Sequence, residues 1–116
     1  MKIININDAP AQAVTMEGAA HVTKRLPIGK ADGSPSFSAR VFTLAPGGYT
    51  PYHEHAWEHL NYIIAGKGEL LDADGQARPL QPGDFALVQP GEKHQYRNAS
   101  ATASFIMICA VPSEYE

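Results

Sequence analysis

Residues 47–66 read GGYTPYHEHAWEHLNYIIAG, and this stretch decides how the chain folds. It holds three of the five histidines, His53, His55 and His59, and continues into a run of branched and aromatic residues. Residues i and i+2 of a strand point to the same face, so a strand here would present the imidazoles of His53 and His55 side by side. Neutral imidazole is a common metal ligand. The pair therefore indicates either a metal site or two surface histidines on an edge strand, which need no special cause.

Short runs rich in β-branched and aromatic residues recur along the chain, each bounded by turn residues. They lie at 37–44, 59–65, 69–71, 85–88 and 105–111. Short strands at such regular spacing are typical of an all-β sandwich or barrel. The segment 9–20 is long enough for a turn or two of helix, although Pro10 and Gly18 oppose it. Residues 1–20 are interpreted as a loosely defined N-terminal arm that is able to pair with a partner subunit.

The composition predicts one globular domain spanning residues 1–116 and argues against several classes of function. Nine Lys and Arg against twelve Asp and Glu give a net charge of −3, which is unfavourable for binding nucleic acid or an anionic membrane. The apolar run 105–111 is too short to span a bilayer, which needs about 20 residues. A single cysteine, Cys109, forms no internal disulfide and fits a reducing compartment. Without a recognisable secretory signal, we expect a cytoplasmic location.

The glycines and histidines resemble the two sequence motifs of the cupin superfamily, within residues 47–98. The first motif, G-x5-H-x-H-x3–4-E-x6-G, is matched at its glycines and first two histidines by Gly47, His53, His55 and Gly66. The second motif, G-x5-P-x-G-x2-H-x3-N, is matched by Gly83, Gly91, His94 and Asn98, with Gln89 at its first proline. The resemblance implies a small β-barrel of the jelly-roll type, a double-stranded β-helix.

The first motif departs from the family at the glutamate, because that position holds His59. Glu58 follows His55 too closely for the family's spacing, so we interpret it as a residue of the rim or as an outer contact to a ligand. The pattern is similar to a group of small cupins with four histidine ligands, some of which bind manganese. The resemblance then implies one divalent transition metal per chain, Mn, Fe, Cu, Ni or Zn. The implied ligands are His53, His55, His59 and His94.

Four neutral imidazoles leave a divalent ion its full charge of +2, whereas a carboxylate ligand would reduce that charge to +1. The resemblance implies a metal-dependent oxidoreductase of the dioxygenase type that acts on a small organic substrate. The alternatives are a non-redox isomerase, lyase or cyclase, a module that only binds a small ligand, and a structural zinc site that braces the barrel. No catalytic residue stands out, although Glu58, Glu92 and Gln95 lie close to the ligands in sequence.

Several residues outside the ligand set carry weaker expectations. Arg40 is expected to point outward from an otherwise apolar strand, and His21 is expected at the surface or in the arm. The aromatic side chains of Tyr49, Tyr52 and Trp57 are expected either to line the pocket mouth or to pack. The run 105–111 is apolar on both faces, which indicates cover by a second sheet or a second subunit. Together with the resemblance, this predicts a homodimer.

Overall fold

The computed structural model describes residues 1–116, and strands dominate it, which confirms the all-β prediction. The nine strands are β1 (Gln12–Ala13), β2 (Ala20–Ile28), β3 (Phe37–Tyr49), β4 (His59–Ala65), β5 (Gly68–Leu71), β6 (Ala77–Leu80), β7 (Phe85–Val88), β8 (Gln95–Asn98) and β9 (Phe105–Pro112). Three single-turn 3-10 helices lie at Ile6–Asp8, Lys30–Asp32 and Ser113–Tyr115. None of the helices is long and apolar enough to cross a membrane.

The strands form one curled antiparallel sheet in the order β6-β5-β8-β3-β9-β4-β7, with β2 also paired to β3 and β1 to β2. Strand β3 makes the curl possible because it takes part in both halves. Its residues Phe37–Leu44 pair with β9, and beyond the Pro46-Gly47-Gly48 turn its last residue, Tyr49, pairs with Arg97 of β8. The result is the jelly-roll fold that the sequence predicts, with the concave side enclosing the core.

The core lies between the two halves of this curled sheet. Its largest apolar cluster consists of Val22, Leu44, Ile63, Tyr96, Phe105 and Met107. Strand β9 supplies two of these residues because its odd-numbered side chains, from Phe105 to Val111, are all buried, while the even-numbered ones are half-exposed. This period-2 alternation places Met107 and Cys109 on the inner face, where they help to line a cavity.

All five predicted strands are present, but the sequence reading missed four others: β1, β2, β6 and β8. No helical turn forms within 9–20, where Pro10 and Gly18 oppose one; β1 lies there and pairs with β2 of the same chain. The arm before β1 is tied to β2 as well, because the Arg25 guanidinium donates a hydrogen bond to the Ala9 carbonyl. Strand β2 was missed because Lys24, Arg25 and Pro27 interrupt the apolar pattern that identifies a strand.

Candidate metal centre

Backbone hydrogen bonds bring the two histidine segments together at one end of the cavity. His53 and His94 form an isolated antiparallel bridge, in which each N–H donates to the other's carbonyl, at 3.1 and 2.9 Å. The Gly91 N–H donates to the His55 carbonyl at 2.8 Å. His53 and His55 therefore lie in the β3–β4 loop rather than in the strand expected from their spacing. Their imidazoles still meet, with ring centroids 5.2 Å apart.

The imidazoles form a tight cluster. The candidate ligand nitrogens of His53, His55 and His94 all lie within 4.8 Å of one another. His59, the first residue of β4, lies beside this group of three but is not part of it. Its Nε2 lies 3.2 Å from Nε2 of His94, and its ring centroid lies 5.1 Å from that of His55. The side chains of His59 and His94 are about 95% buried, whereas those of His53 and His55 are half-exposed.

Three of the histidines have an oxygen acceptor at Nδ1, which determines their tautomer. His55 Nδ1 donates to the carbonyl of Trp57 at 2.8 Å, and His94 Nδ1 donates to the carbonyl of Glu92 at 2.7 Å. His59 Nδ1 donates to Oδ1 of Asn61 at 2.6 Å. A neutral imidazole that donates from Nδ1 keeps its lone pair on Nε2. Such contacts to the second ring nitrogen are typical of metal-ligating histidines.

The facing nitrogens of His59 and His94 fit a bound cation. Because both rings donate from Nδ1, both Nε2 atoms present lone pairs across the 3.2 Å that separates them. No hydrogen lies between the two atoms when both rings are neutral, so their contact is repulsive. A divalent ion shared by the two lone pairs removes that repulsion. The donor set therefore fits a transition metal that accepts imidazole ligands.

Burial keeps these imidazoles neutral, as metal binding requires. It lowers the pKa of His59 to about 4, with further lowering from the nearby His94, His55 and Arg40 and an opposing effect from the Asn61 hydrogen bond. The pKa values of His94 and His53 are also lowered, again mainly by burial. At neutral pH these three rings are therefore uncharged and have their lone pairs available.

The metal-free protein is expected to lose stability as the pH falls from 6.5 to about 4. The unfolded chain protonates His59 at its ordinary pKa, whereas the folded chain resists protonation until about pH 4. The free energy of unfolding is therefore highest above pH 6.5. The lowered pKa of His59 alone reduces it by about 3 kcal/mol by pH 4. Urea unfolding in the presence of a chelator measures it. The variant His59→Gln should show a shallower pH dependence, and equal slopes for both proteins would contradict the prediction.

A buried relay behind His59 holds its ring in place. The Asn61 carbonyl oxygen accepts two hydrogen bonds, one from His59 Nδ1 and one from the Tyr96 hydroxyl at 2.8 Å. The Asn61 amide nitrogen lies 3.6 Å from the Met107 sulfur and donates to it. Asn61 and Tyr96 are almost fully buried, and burial raises the pKa of the Tyr96 hydroxyl well above its ordinary value. The hydroxyl is therefore a fixed donor.

Replacing Asn61 with leucine is expected to weaken metal binding by about 10- to 100-fold, the usual effect of losing such an outer contact. It is also expected to destabilise the protein by about 1–3 kcal/mol, because His59 Nδ1 and the Tyr96 hydroxyl lose their partner. Metal competition against a chelator and urea unfolding measure the two effects. The matched control is Tyr96→Phe, which leaves the His59–Asn61 contact in place. Equal metal affinities for Asn61→Leu and the wild type would refute the role of the relay.

The cluster opens into a cavity of about 290 Å³ inside the curled sheet. Its apolar walls include Val14, Val22, Phe42 and Met107. Trp57 stands at the cavity wall in a stack, with the His55 ring 4.3 Å away on one side and the Tyr115 ring 4.2 Å away on the other. This stack covers one edge of the histidine cluster.

The outward orientation predicted for Arg40 is wrong, and the structure shows which of the three aromatic residues reach the cavity. Arg40 points inward and lines the cavity, because it lies on the same face of β3 as Phe42 and Leu44 and pairs in register with the inward-facing Cys109. Of the three aromatic residues, Trp57 lines the cavity, whereas Tyr49 and Tyr52 do not. The outward prediction failed because a single charged residue in an apolar strand does not show which face of the sheet it occupies.

The nearby acidic and amide residues are outside the cavity. Glu58 is exposed and lines no part of it, consistent with a residue of the rim. Glu92 accepts a hydrogen bond from the Gln89 N–H at 2.9 Å within its own turn. Gln95 donates to the Thr50 carbonyl at 2.9 Å. None of the three is therefore positioned for proton transfer at the histidine cluster.

Comparison with known proteins identifies the family. Residues 40–111, well over half of the chain, match the family model described as the Cupin domain. The chain belongs to the cupin family. A polyketide cyclase, RemF from Streptomyces resistomycificus, has a similar solved structure, with a TM-score of 0.91 and 30% sequence identity. That match covers 97% of this chain and 80% of the RemF chain, so the likeness extends over nearly the entire cupin described here.

Curated relatives of this cupin match over a shorter length. Dimethylsulfoniopropionate lyase DddQ from Ruegeria pomeroyi is 36% identical over 64 residues, which are 55% of this chain and 32% of the lyase. Gentisate 1,2 dioxygenase 1 from Aquipseudomonas alcaligenes is 31% identical over 65 residues, 56% of this chain and 19% of the dioxygenase. The chain thus matches only a third or less of the length of these two relatives. Cupins similar to it include enzymes of quite different chemistry.

Proposed function

We propose that this cupin is a metal-dependent enzyme that acts on a small organic molecule by non-redox chemistry. The observation that carries the proposal is the position of the histidine cluster, at the wall of an open cavity with mainly apolar lining. A structural metal is normally enclosed by its ligands, whereas a catalytic metal faces a space that receives the substrate. We assign His53, His55, His59 and His94 as the four ligands.

The charge of this ligand set favours Lewis-acid chemistry. Four neutral imidazoles leave a divalent ion its full charge, and that charge disfavours oxidation to a trivalent state. When bound, the metal would polarise a carbonyl or similar oxygen of the substrate. The similarity to the polyketide cyclase RemF supports this reaction class, because it extends along 97% of the chain. A polarised oxygen of this kind can assist cyclisation, isomerisation and elimination alike.

The chain's own residues bind and shield the substrate. The apolar walls and the Trp57–Tyr115 stack exclude water from one side of the histidine cluster. Asn61 holds the His59 ring so that Nε2 faces the other imidazoles. Apolar walls strengthen the electrostatic interactions beside them, which increases the effect of a positive centre on substrate charge.

A dioxygenase is the second candidate, and the match to gentisate 1,2 dioxygenase 1 favours it. Imidazole ligands also suit iron and copper, so the donor set is compatible with redox chemistry. This candidate requires a redox-active metal and consumption of dioxygen, and the first candidate requires neither.

Metal analysis of the untagged protein as isolated tests the proposal and separates the two candidates. Near-stoichiometric metal that is lost in His→Ala variants of the four ligands would support the metal centre. Substrate turnover that persists with zinc under anaerobic conditions would support the non-redox enzyme. Turnover that stops without dioxygen and needs iron, manganese or copper would support the dioxygenase. A protein with no affinity for any of these metals would overturn both candidates and leave a module that binds ligand without a metal.

We also propose that the protein is a homodimer joined through the outer face of the sheet. Leu60 and Leu87 are opposite each other in register, as are Tyr62 and Phe85. Three of these side chains are exposed, and Phe85 retains 70% of its exposure. Contiguous apolar surface of this kind marks interaction sites. A second copy presents the same surface. Light scattering should give a dimer mass that Phe85→Glu reduces to the monomer mass, and a monomeric wild type would refute the proposal.

A further inference from the structure

A guanidinium without a counter-ion lies at the wall of the cavity. Arg40 points inward from β3, and Phe42 beside it places its ring 5.0 Å from the guanidinium carbon. One Nη donates to the Cys109 sulfur at 3.0 Å, and the Nε–H is buried without a partner. A neutral thiol is a weak acceptor, so most of the five N–H donors of Arg40 remain without a strong acceptor. Arg40 as a whole is half-buried, and an arginine withdrawn from water is normally paired with an acid.

No acidic residue balances this charge within the protein. The three ion pairs of the chain involve Lys2, Arg78 and Arg97, and none includes Arg40. No aspartate or glutamate lines the cavity. The cavity has a second cation instead, Lys24, which pairs in register with Phe42 and so lies on the strand next to Arg40.

The two cations and the histidine cluster lie on the walls of the same cavity. Lys24 and Arg40 carry two positive charges, and a divalent ion bound by neutral imidazoles would add two more. The remaining walls are largely apolar, from residues such as Val14, Val22 and Met107. A cavity with this charge favours an anion, and its apolar walls favour a hydrocarbon body attached to it.

We propose that the substrate is a small organic acid whose carboxylate binds to Arg40, with Lys24 as a supporting charge. The planar fork of a guanidinium matches a carboxylate with two parallel hydrogen bonds. Binding the acid group at Arg40 leaves another part of the molecule to face the histidine cluster. That the bound acid is a substrate rests on the proposed function. Binding of its carboxylate depends only on Arg40 and Lys24.

The test compares an acid with its uncharged amide of nearly the same shape. Trp57 is the only tryptophan of the chain and lines the cavity, so its fluorescence reports binding directly. Cyclohexanecarboxylate and cyclohexanecarboxamide are titrated into the zinc-loaded protein at neutral pH. We expect the acid to bind about tenfold more tightly than the amide, the usual advantage of a charge-assisted hydrogen bond.

Variants separate Arg40 from the metal as the source of this preference. In Arg40→Met the acid-to-amide ratio should fall to near one, and Arg40→Lys should restore part of it. Lys24→Met should reduce it by less. The matched control is Arg78→Met, which removes an exposed arginine outside the cavity and should leave the ratio unchanged. A preference that survives Arg40→Met places the carboxylate elsewhere and overturns the proposal, as does equal binding of acid and amide by the wild type.

Zinc content measured on the same samples distinguishes the two proposals. If zinc is bound but the acid has no advantage, the carboxylate site is wrong while the metal centre stands. If no zinc is bound and the acid is still preferred through Arg40, the metal centre is wrong while the carboxylate site stands. If Arg40→Met does not fold, the same titration of the metal-free wild type decides, because an acid preference that disappears with the zinc places the carboxylate at the metal and overturns the proposal.

Discussion

Replacing His59 with alanine is expected to weaken binding of a divalent ion by more than about 100-fold, because losing a ligand costs more than losing an outer contact. His59 Nε2 lies 3.2 Å from His94 Nε2, and both atoms carry lone pairs because both rings donate from Nδ1. Removing one of them leaves the ion with fewer donors, and no aspartate or glutamate lines the cavity to replace it. Zinc affinity is measured by competition with a chromophoric chelator, and bound metal by elemental analysis.

The controls are a histidine outside the cluster and the carboxylate next to His59 in sequence. His21→Ala removes an exposed histidine that does not line the cavity, and Glu58→Ala removes the carboxylate next to His59 in sequence. Both variants should bind zinc as the wild type does. Alanine at His53, His55 or His94 should have the same large effect as at His59. Loss of zinc in Glu58→Ala combined with its retention in His59→Ala would show that the carboxylate is the ligand.

Much of the histidine cluster could be predicted from spacing, because the motifs place the histidines at chain positions that the fold then brings together. The sequence pairs His53 with His55, and the resemblance adds His59 and His94. The contacts that orient these rings are a different matter. Asn61 is two residues from His59 and appears as an ordinary polar residue until the hydroxyl of Tyr96 is found beside it, on a strand that is distant in sequence.

The side of the sheet that a residue faces was the hardest property to predict. Turn residues and branched runs identified the well-patterned strands, including the apolar β9. Strand β8 was missed because QYRN carries only one apolar side chain, and its place in the sheet depends on pairing with β5. Arg40 was assigned to the wrong face for a related reason. Its direction follows from its register with Cys109, 69 residues away, and local sequence does not contain that information.

Replacing Gly66, which ends the first motif, with alanine is expected to lower the free energy of unfolding by about 2–5 kcal/mol. Two separate costs contribute to this loss. Gly66 has a φ of +81°, a left-handed conformation that costs an alanine about 1–2 kcal/mol. A Cβ there would also lie 2.1 Å from the Ser104 carbonyl oxygen, so the backbone before β9 would have to move. Moving packed backbone costs roughly 1–3 kcal/mol more. Urea unfolding measures the total.

Gly75→Ala is the matched control that separates these two costs. Gly75 has a nearly identical φ of +77°, but no atom lies within 4 Å of the position of its Cβ. It should therefore show only the conformational cost of about 1–2 kcal/mol. Equal losses for the two variants would mean that the Ser104 contact is unimportant and that conformation alone selects glycine at position 66. A larger loss for Gly66→Ala would show that the motif glycine is needed because β9 passes directly over it. Strand β9 carries Met107 and Cys109 into the cavity, so this close approach also shapes part of the cavity wall.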